Sequence, residues 1–230
     1  MSAQKKFSFM PESERLPLCI KTAGRPRAAD AEQRTQELLE TAAHLFMEKG
    51  YSNVSLEMIA KQARVAVRTI YVKFGGKAGL FMAVINAWRE HFLANMEDLD
   101  TTARPLREIL TDFSLRFMEM INTPVAVATH RMVIAESLSN PELGEAFFEA
   151  GPKQTREILL RLFLRPDIRA QLRDDMPAEL MPVHLLNCIM GDQLKRHLLA
   201  LPITPPDEAE VRQQVEHGLN LFLDGTLRKG

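Results

Sequence analysis

The chain has 230 residues, 46% of them hydrophobic and 26% charged, with a formal net charge of −1. That is enough for one large or two small domains around a sizeable core. Two distant cysteines, Cys19 and Cys188, exclude a disulfide framework or a zinc-spaced set and suit a reducing cytoplasm. No apolar stretch is long enough to span a bilayer, and residues 1–20 lack the unbroken apolar core of a signal peptide. A cytoplasmic chain with no membrane segment is therefore expected.

The charge is unevenly spread. Residues 1–77 hold 13 Lys+Arg against 8 Asp+Glu, a net of +5, while residues 78–230 hold 16 against 22, a net of −6. A basic front and an acidic rear suit a protein that docks one end on phosphates. A chance fluctuation in solvated charge would do equally well if no motif lay beside it.

Residues 1–30 read as a flexible arm, with Pro11, Pro17, Gly24 and Pro26 breaking any helix. Residues 31–77 read as three helices. Arg34 to Gly50 forms the first, and Ser55 to Lys77 supplies a short helix, a tight turn and a second short helix. Ser55 is a good N-cap for the shorter pair, and Leu56, Ile59, Ala60 and Ala63 give its first helix an apolar face. Ile70 and Phe74, four apart, anchor the last helix to the core, which leaves Arg68, Thr69, Tyr71 and Lys73 pointing elsewhere. This is the layout of a helix-turn-helix, whose second helix enters the major groove of DNA.

Each side chain has a DNA-facing role and a plainer one. The Tyr71 hydroxyl can donate to phosphate or belong to a packed ring, and Arg68 can fork onto a base or phosphate or be a solvated charge. Thr69 can bond backbone or phosphate or touch a thymine methyl. Val67 can read a methyl or cover the turn. Lys73 and Lys77 suit phosphate clamps, Lys77 at a helix start whose free amides favour anions. Ser55 completes the DNA-side set.

The pattern resembles the DNA-binding domain of the TetR family of bacterial transcriptional regulators. The matching features are the AA-x-x-x-F-x-x-x-G-Y run at Ala42 to Tyr51, I-A-K at Ile59 to Lys61, T-I-Y-x-x-F at Thr69 to Phe74, and K-x-x-L-F at Lys77 to Phe81. Gly usually stands at the turn in that family, where this chain has Arg64, so the turn either avoids a positive φ or tolerates strain. Gly75-Gly76 replaces a commoner polar arrangement. Gly24-Arg25-Pro26-Arg27 resembles the family's short basic arm, which implies that Arg25 and Arg27 reach the minor groove. A solvated tail is the alternative.

Residues 78–230 read as helical throughout, so the fold class is all-α: a three-helix reading head followed by a larger helical ligand-binding and dimerisation domain. Segments run from Lys77 to about Leu99, Pro105 to about Ile121, Thr123-Pro124 to about Leu138, Asn140-Pro141 to about Leu164 with a break at Gly151-Pro152, Pro182 to Leu201, and Thr204-Pro205 to about Leu227. The run Arg131 to Pro152 resembles the C-terminal domain of the AcrR/AefR-like branch, in its A-E-x-x-x-x-P-E-L-x-x-x-F-x-x-x-G-P string. That branch implies a ligand-sensing repressor.

Trp88, Phe92, Phe113, Phe117, His130, Phe147 and His184 are the candidates for a ligand cavity, with ordinary core or surface as the plainer role for each. A helical-bundle enzyme would need inward Glu residues with Glu-x-x-His pairs, and none occurs. No phosphate loop, nucleophile elbow or metal set occurs either, so no catalysis, cofactor or metal is expected. The competing readings are a ligand-responsive repressor and a constitutive, architectural DNA-binding protein. One short recognition helix reads few base pairs, which calls for a homodimer on a pseudo-palindromic double-stranded operator, released by a small, mostly apolar inducer. The Pro182–Leu201 helix and the stripe Val211, Val215, Leu219, Phe222 are the expected dimer surface, with packing inside the chain as the alternative.

Overall fold

The structure is a computed structural model that describes residues 26–93, 99, 102–199 and 207–228; at 26–30, 91–93 and 197 it describes the backbone alone. Its helices are α1 (Pro26–Lys49), α2 (Leu56–Ala63), α3 (Val67–Phe74), α4 (Lys77–Leu93), α5 (Leu106–Asn122), α6 (Pro124–Glu136), α7 (Pro141–Phe148), α8 (Gln154–Leu164), α9 (Pro166–Arg169), α10 (Met181–Met190), α11 (Gln193–Leu198) and α12 (Glu208–Thr226). Among the described residues the nearest approach to a sheet is one isolated bridge between Leu172 and Leu227. The all-α expectation holds.

Three boundaries differ from the reading above, the first being the expected break at Gly151-Pro152, where a π-helical turn, Glu149–Lys153, joins α7 to α8. The first helix starts at Pro26, inside the stretch expected to be an arm. A proline at a first helical position gives up no amide hydrogen bond, so it opens a helix instead of breaking one. The apolar run expected as one helix from Pro182 to Leu201 is two, parted at Gly191, whose φ of 54° and ψ of −131° end α10. At the start of α6 the Thr123 hydroxyl accepts from the Ala126 amide at 3.1 Å, as the sequence suggests, whereas Asn140 makes no side-chain cap bond to α7 and Thr204-Pro205 lies outside the described residues. Asp207 accepts from the Glu210 amide at 2.8 Å while the Glu210 carboxylate accepts from the Asp207 amide at 3.0 Å, a reciprocal capping box opening α12.

The described residues fall into two compact units, one within Met1–His91 and Ala128–Gly151, the other within Phe92–Val127 and Pro152–Gly230. The first unit is built around Phe46 of α1, Tyr51 of the following turn and Phe81 of α4. Their ring centroids lie 5.5 to 5.9 Å apart, stacked or edge-on. Ile59 of α2 and Ile70 of α3 are buried in the same core, together with Val133 of α6 and Leu143 of α7. Gly79 lets α4 start hard against the end of α3, since a Cβ there would lie 1.7 Å from the Phe74 carbonyl oxygen.

The second unit packs α12 along α10 and α5, with α8 also against α10. Phe163 and Phe222 face each other at 5.7 Å. Gly218 permits the closest approach, its missing Cβ lying 2.5 Å from the Cys188 carbonyl oxygen. This packing corrects the expected dimer stripe. Val215, Leu219 and Phe222 are buried within the chain itself, at 1%, 1% and 3% exposure, so they cannot also form a surface. A stripe with a period near 3.6 is the same in both cases, and the intrachain partner α10 takes it.

Ser55 caps α2 by accepting from the Met58 amide at 3.2 Å. At the other end Arg64 takes φ 57° and ψ 42°, the only non-glycine residue with positive φ among those described. The Val65 amide then returns to the Ala60 carbonyl at 3.0 Å and turns the chain into α3. Where the family has glycine, this chain accepts the strain. A left-handed non-glycine residue costs about 1–2 kcal/mol, partly offset by about 0.4–1 kcal/mol from the smaller freedom of the unfolded chain. Arg64→Gly is therefore expected to leave stability unchanged or raise it by up to about 1 kcal/mol, and Arg64→Ile to lower it by about 1–2 kcal/mol. Urea denaturation followed by circular dichroism checks both; equal midpoints for the two variants would be inconsistent with a left-handed turn.

Candidate nucleic-acid interface

The eight residues of α3 divide cleanly. Ile70 has no exposure, and Val67 and Phe74 are partly buried beside it. Arg68, Thr69, Tyr71, Val72 and Lys73 are exposed, Tyr71 to 55% and Val72 to 75%. Of the residues expected to touch DNA, the structure thus gathers Arg68, Thr69, Tyr71 and Lys73 on one short helix. It adds Val72, which sequence reasoning did not single out and whose exposure next to Tyr71 places a methyl-bearing side chain on the same surface. The Lys73 ammonium donates to Thr35 Oγ1 of α1, so the cation is held at the edge of the helix pair.

Two of the expected contacts, Ser55 and Lys77, also have partners within the first unit. The Ser55 hydroxyl is engaged in the α2 cap. Lys77 lies with its ammonium 4.1 Å from the centroid of the Tyr51 ring, a cation–π pair. Burial lowers its pKa, and the nearby carboxylates Glu136 and Glu142 pull it back up. Its charge is engaged with the ring at a partly buried position of the first unit. Arg25 lies outside the described residues, and Arg27 is described only as backbone in the first turn of α1.

A second feature holds the turn between α1 and α2. The Glu136 carboxylate, at the end of α6, accepts from the Tyr51 amide at 2.9 Å, the Ser52 amide at 2.6 Å and the Ser52 hydroxyl at 2.5 Å. Asn140 Nδ2 donates to Ser52 Oγ at 3.0 Å and to the Glu136 carbonyl at 3.2 Å. Partial burial works to raise the Glu136 pKa. The hydroxyl and amide of Ser52, the Tyr51 amide and Lys77 outweigh it and hold the carboxyl below its ordinary value. The Tyr51 phenol is pushed up to about 12, first by burial and then by Glu142 and Glu136. Nothing in the local sequence flags this clasp, because donor and acceptor are some 85 residues apart.

The ligand candidates are dispersed. Phe113 and Phe117 stack at 6.0 Å in the core of the second unit. In the first unit Trp88 is half-buried on α4, and His130 meets the Phe147 ring edge-on at 4.9 Å. His184 is exposed on α10, and the Phe92 side chain lies outside the described residues. Among the described residues no three His, Cys, Asp or Glu side chains come together in a way that could hold a metal ion, and no helix is long and apolar enough to cross a membrane.

A family model described as bacterial regulatory proteins, tetR family, matches residues 38–84, which span the end of α1 through α4 up to Val84. A second, described as the C-terminal domain of AefR-like transcriptional repressors, matches residues 108–225. Among curated relatives, the transcriptional regulator AcuR of Cereibacter sphaeroides is 37% identical over 89 residues, which is 37% of this chain and 41% of AcuR. The repressor ComR of Escherichia coli is 25% identical over 178 residues, 75% of this chain and 81% of ComR. The match thus spans less than half of AcuR and most of ComR. Among solved structures, the flavonoid-responsive regulator FrrA is 26% identical with a TM-score of 0.70, covering 86% of this chain and all of that one. A TetR-family regulator from Mesorhizobium loti shares the fold at 21% identity and a TM-score of 0.69, over 89% of this chain and 100% of that one. With the C-terminal model alone covering just over half of the residues, the chain belongs to the TetR family of bacterial regulatory proteins and carries an AefR-like C-terminal domain.

Proposed function

We propose that this protein is a ligand-responsive transcriptional repressor that binds a pseudo-palindromic operator as a dimer and is released by a small, mostly apolar inducer. The observation that carries the DNA half is the exposed face of α3, where Arg68, Thr69, Tyr71 and Lys73 project from a helix locked by the fully buried Ile70. The inducer half is supported by the company the chain keeps. ComR and NicS are named repressors, FrrA is named flavonoid-responsive, and NalD is named a repressor of a multidrug efflux pump. Action on DNA places the protein in the bacterial cytoplasm.

The operator can be found without knowing the regulated genes, by enriching bound duplexes from a randomised pool. Anisotropy with an enriched and a scrambled duplex then sorts the contacts. Tyr71→Phe and Lys73→Ala are expected to weaken both, Lys73→Ala also flattening the salt slope by about one. Arg68→Ala is expected to narrow the gap between the two duplexes, by about 1–3 kcal/mol for a lost bidentate base contact. Lys77→Ala should leave the salt slope alone and lower the stability of the reading head instead. Unchanged affinities for Tyr71→Phe and Lys73→Ala together would show that this face does not meet phosphate.

The dimer surface consistent with the fold is the outer face of α10 and α12. There His184, Asn187, His217 and Leu221 are exposed, Leu221 to 69%. Leu221→Arg is expected to give a folded monomer, because an unpaired charge in an apolar interface costs several kcal/mol. Phe222→Arg puts the same charge in the internal core and is expected to unfold the unit. Light scattering with circular dichroism separates these outcomes, and a Leu221→Arg dimer would place the interface elsewhere.

A further inference from the structure

Glu136 belongs by sequence to the segment matched by the C-terminal family model, yet its carboxylate is spent on the reading head. It takes the amides of Tyr51 and Ser52 and the Ser52 hydroxyl, three donors on one carboxylate. Those residues form the turn between α1 and α2, and Ser55, three residues on, starts α2. Turn amides left without an acceptor cost free energy, and a charged acceptor satisfies them better than water-exposed backbone would. Gly50, in a left-handed turn at φ 78°, borders the carboxylate. A Cβ at Gly50 would lie 2.7 Å from Glu136 Oε1, so a side chain there would collide with it. Asn140, one turn further along the chain, steadies the Ser52 hydroxyl, and Lys77 above the Tyr51 ring supplies the balancing charge. Thr129, earlier on α6, adds a second tie by donating to Met47 Sδ of α1 at 3.3 Å.

We infer that Glu136 is a positioning residue for DNA reading: through the Tyr51–Ser52 turn it sets the entry of α2 and hence the pose of α3. Any movement of the end of α6 is passed directly to that turn. The inference rests on the operator-binding reading and assigns the pose of α3 in part to the end of α6.

Charge and positioning make opposite predictions, which gives the test its force. Removing a carboxylate near the reading head makes the protein less repellent to phosphate, so a bystander Glu136→Ala would bind all duplexes as tightly as wild type or tighter. A positioning role predicts that Glu136→Ala binds the enriched duplex roughly tenfold more weakly, as loss of charge-assisted hydrogen bonds implies, with the scrambled duplex unchanged or bound more tightly. Glu136→Gln keeps one acceptor oxygen and should fall between. Ser52→Ala removes one donor and should show a smaller loss. Amide hydrogen exchange should accelerate at Tyr51 and Ser52 in the Glu136 variants while the α1 core stays protected. If Glu136→Ala fails to fold, Glu136→Gln and Ser52→Ala carry the comparison. Folded variants with faster Tyr51 and Ser52 exchange but wild-type preference for the enriched duplex would overturn the inference and leave operator binding intact. A wild-type protein that enriches no duplex would overturn the operator reading, and this inference with it.

Discussion

The burial of Ile70 is the constraint on which the surface chemistry of this protein depends. A helix of eight residues is too short to persist in water on its own. α3 exists because Ile70 is locked into the core shared by α1, α2 and α4, a burial worth about 1.5–3 kcal/mol. With that side chain fixed, helical geometry leaves no freedom for the rest. Positions 68, 69, 71, 72 and 73 must face outward, and they carry two cations, two hydroxyls and a valine. The same core explains why the aromatic trio of Phe46, Tyr51 and Phe81 sits where α1, its following turn and α4 meet.

Around that core the chain tolerates local cost in return for a compact reading head. Arg64 occupies a left-handed turn that glycine would take freely, and α4 begins so close to Phe74 that only glycine fits at position 79. Lys77 gives up solvent for the face of Tyr51, and two carboxylates on α6 and α7 compensate the charge. These pieces are mutually dependent: against partial burial, the Ser52 hydroxyl and amide, then the Tyr51 amide and Lys77, hold the Glu136 carboxyl below its ordinary pKa, and the carboxylate fills the turn that carries Tyr51. The reading head thus draws on residues well beyond its own contiguous stretch of sequence.

Much of this was legible before any coordinates. The spacing of Ile70 and Phe74 predicted which face of α3 is free, and cap-plus-proline signals at Thr123-Pro124 and Asn140-Pro141 located the starts of α6 and α7. What stayed hidden was non-local. A stripe such as Val215, Leu219, Phe222 has the same period whether it meets α10 of its own chain or a second copy, and only the fold shows that α10 takes it. Glu136 and Glu142 stood inside a family-like string, but their partners Tyr51, Ser52 and Lys77 lie far away in sequence, so the string could not reveal their work. Lys77 at a helix start reads as a phosphate clamp because helix N-termini favour anions; the Tyr51 ring beside it is a tertiary fact that its own stretch of sequence does not carry. Pro26 was ambiguous in the same way, since proline both breaks helices and begins them.

The central claim is that the exposed face of α3 is where this protein meets DNA. Backbone amide chemical shifts recorded with and without an enriched duplex test it most directly, because every non-proline residue reports at once. The account predicts the largest changes at Arg68, Thr69, Tyr71, Val72 and Lys73, smaller ones at the Tyr51–Ser52 turn, and none centred on the outer face of α10 and α12. Changes concentrated on α10 and α12, with α3 unperturbed, would contradict it.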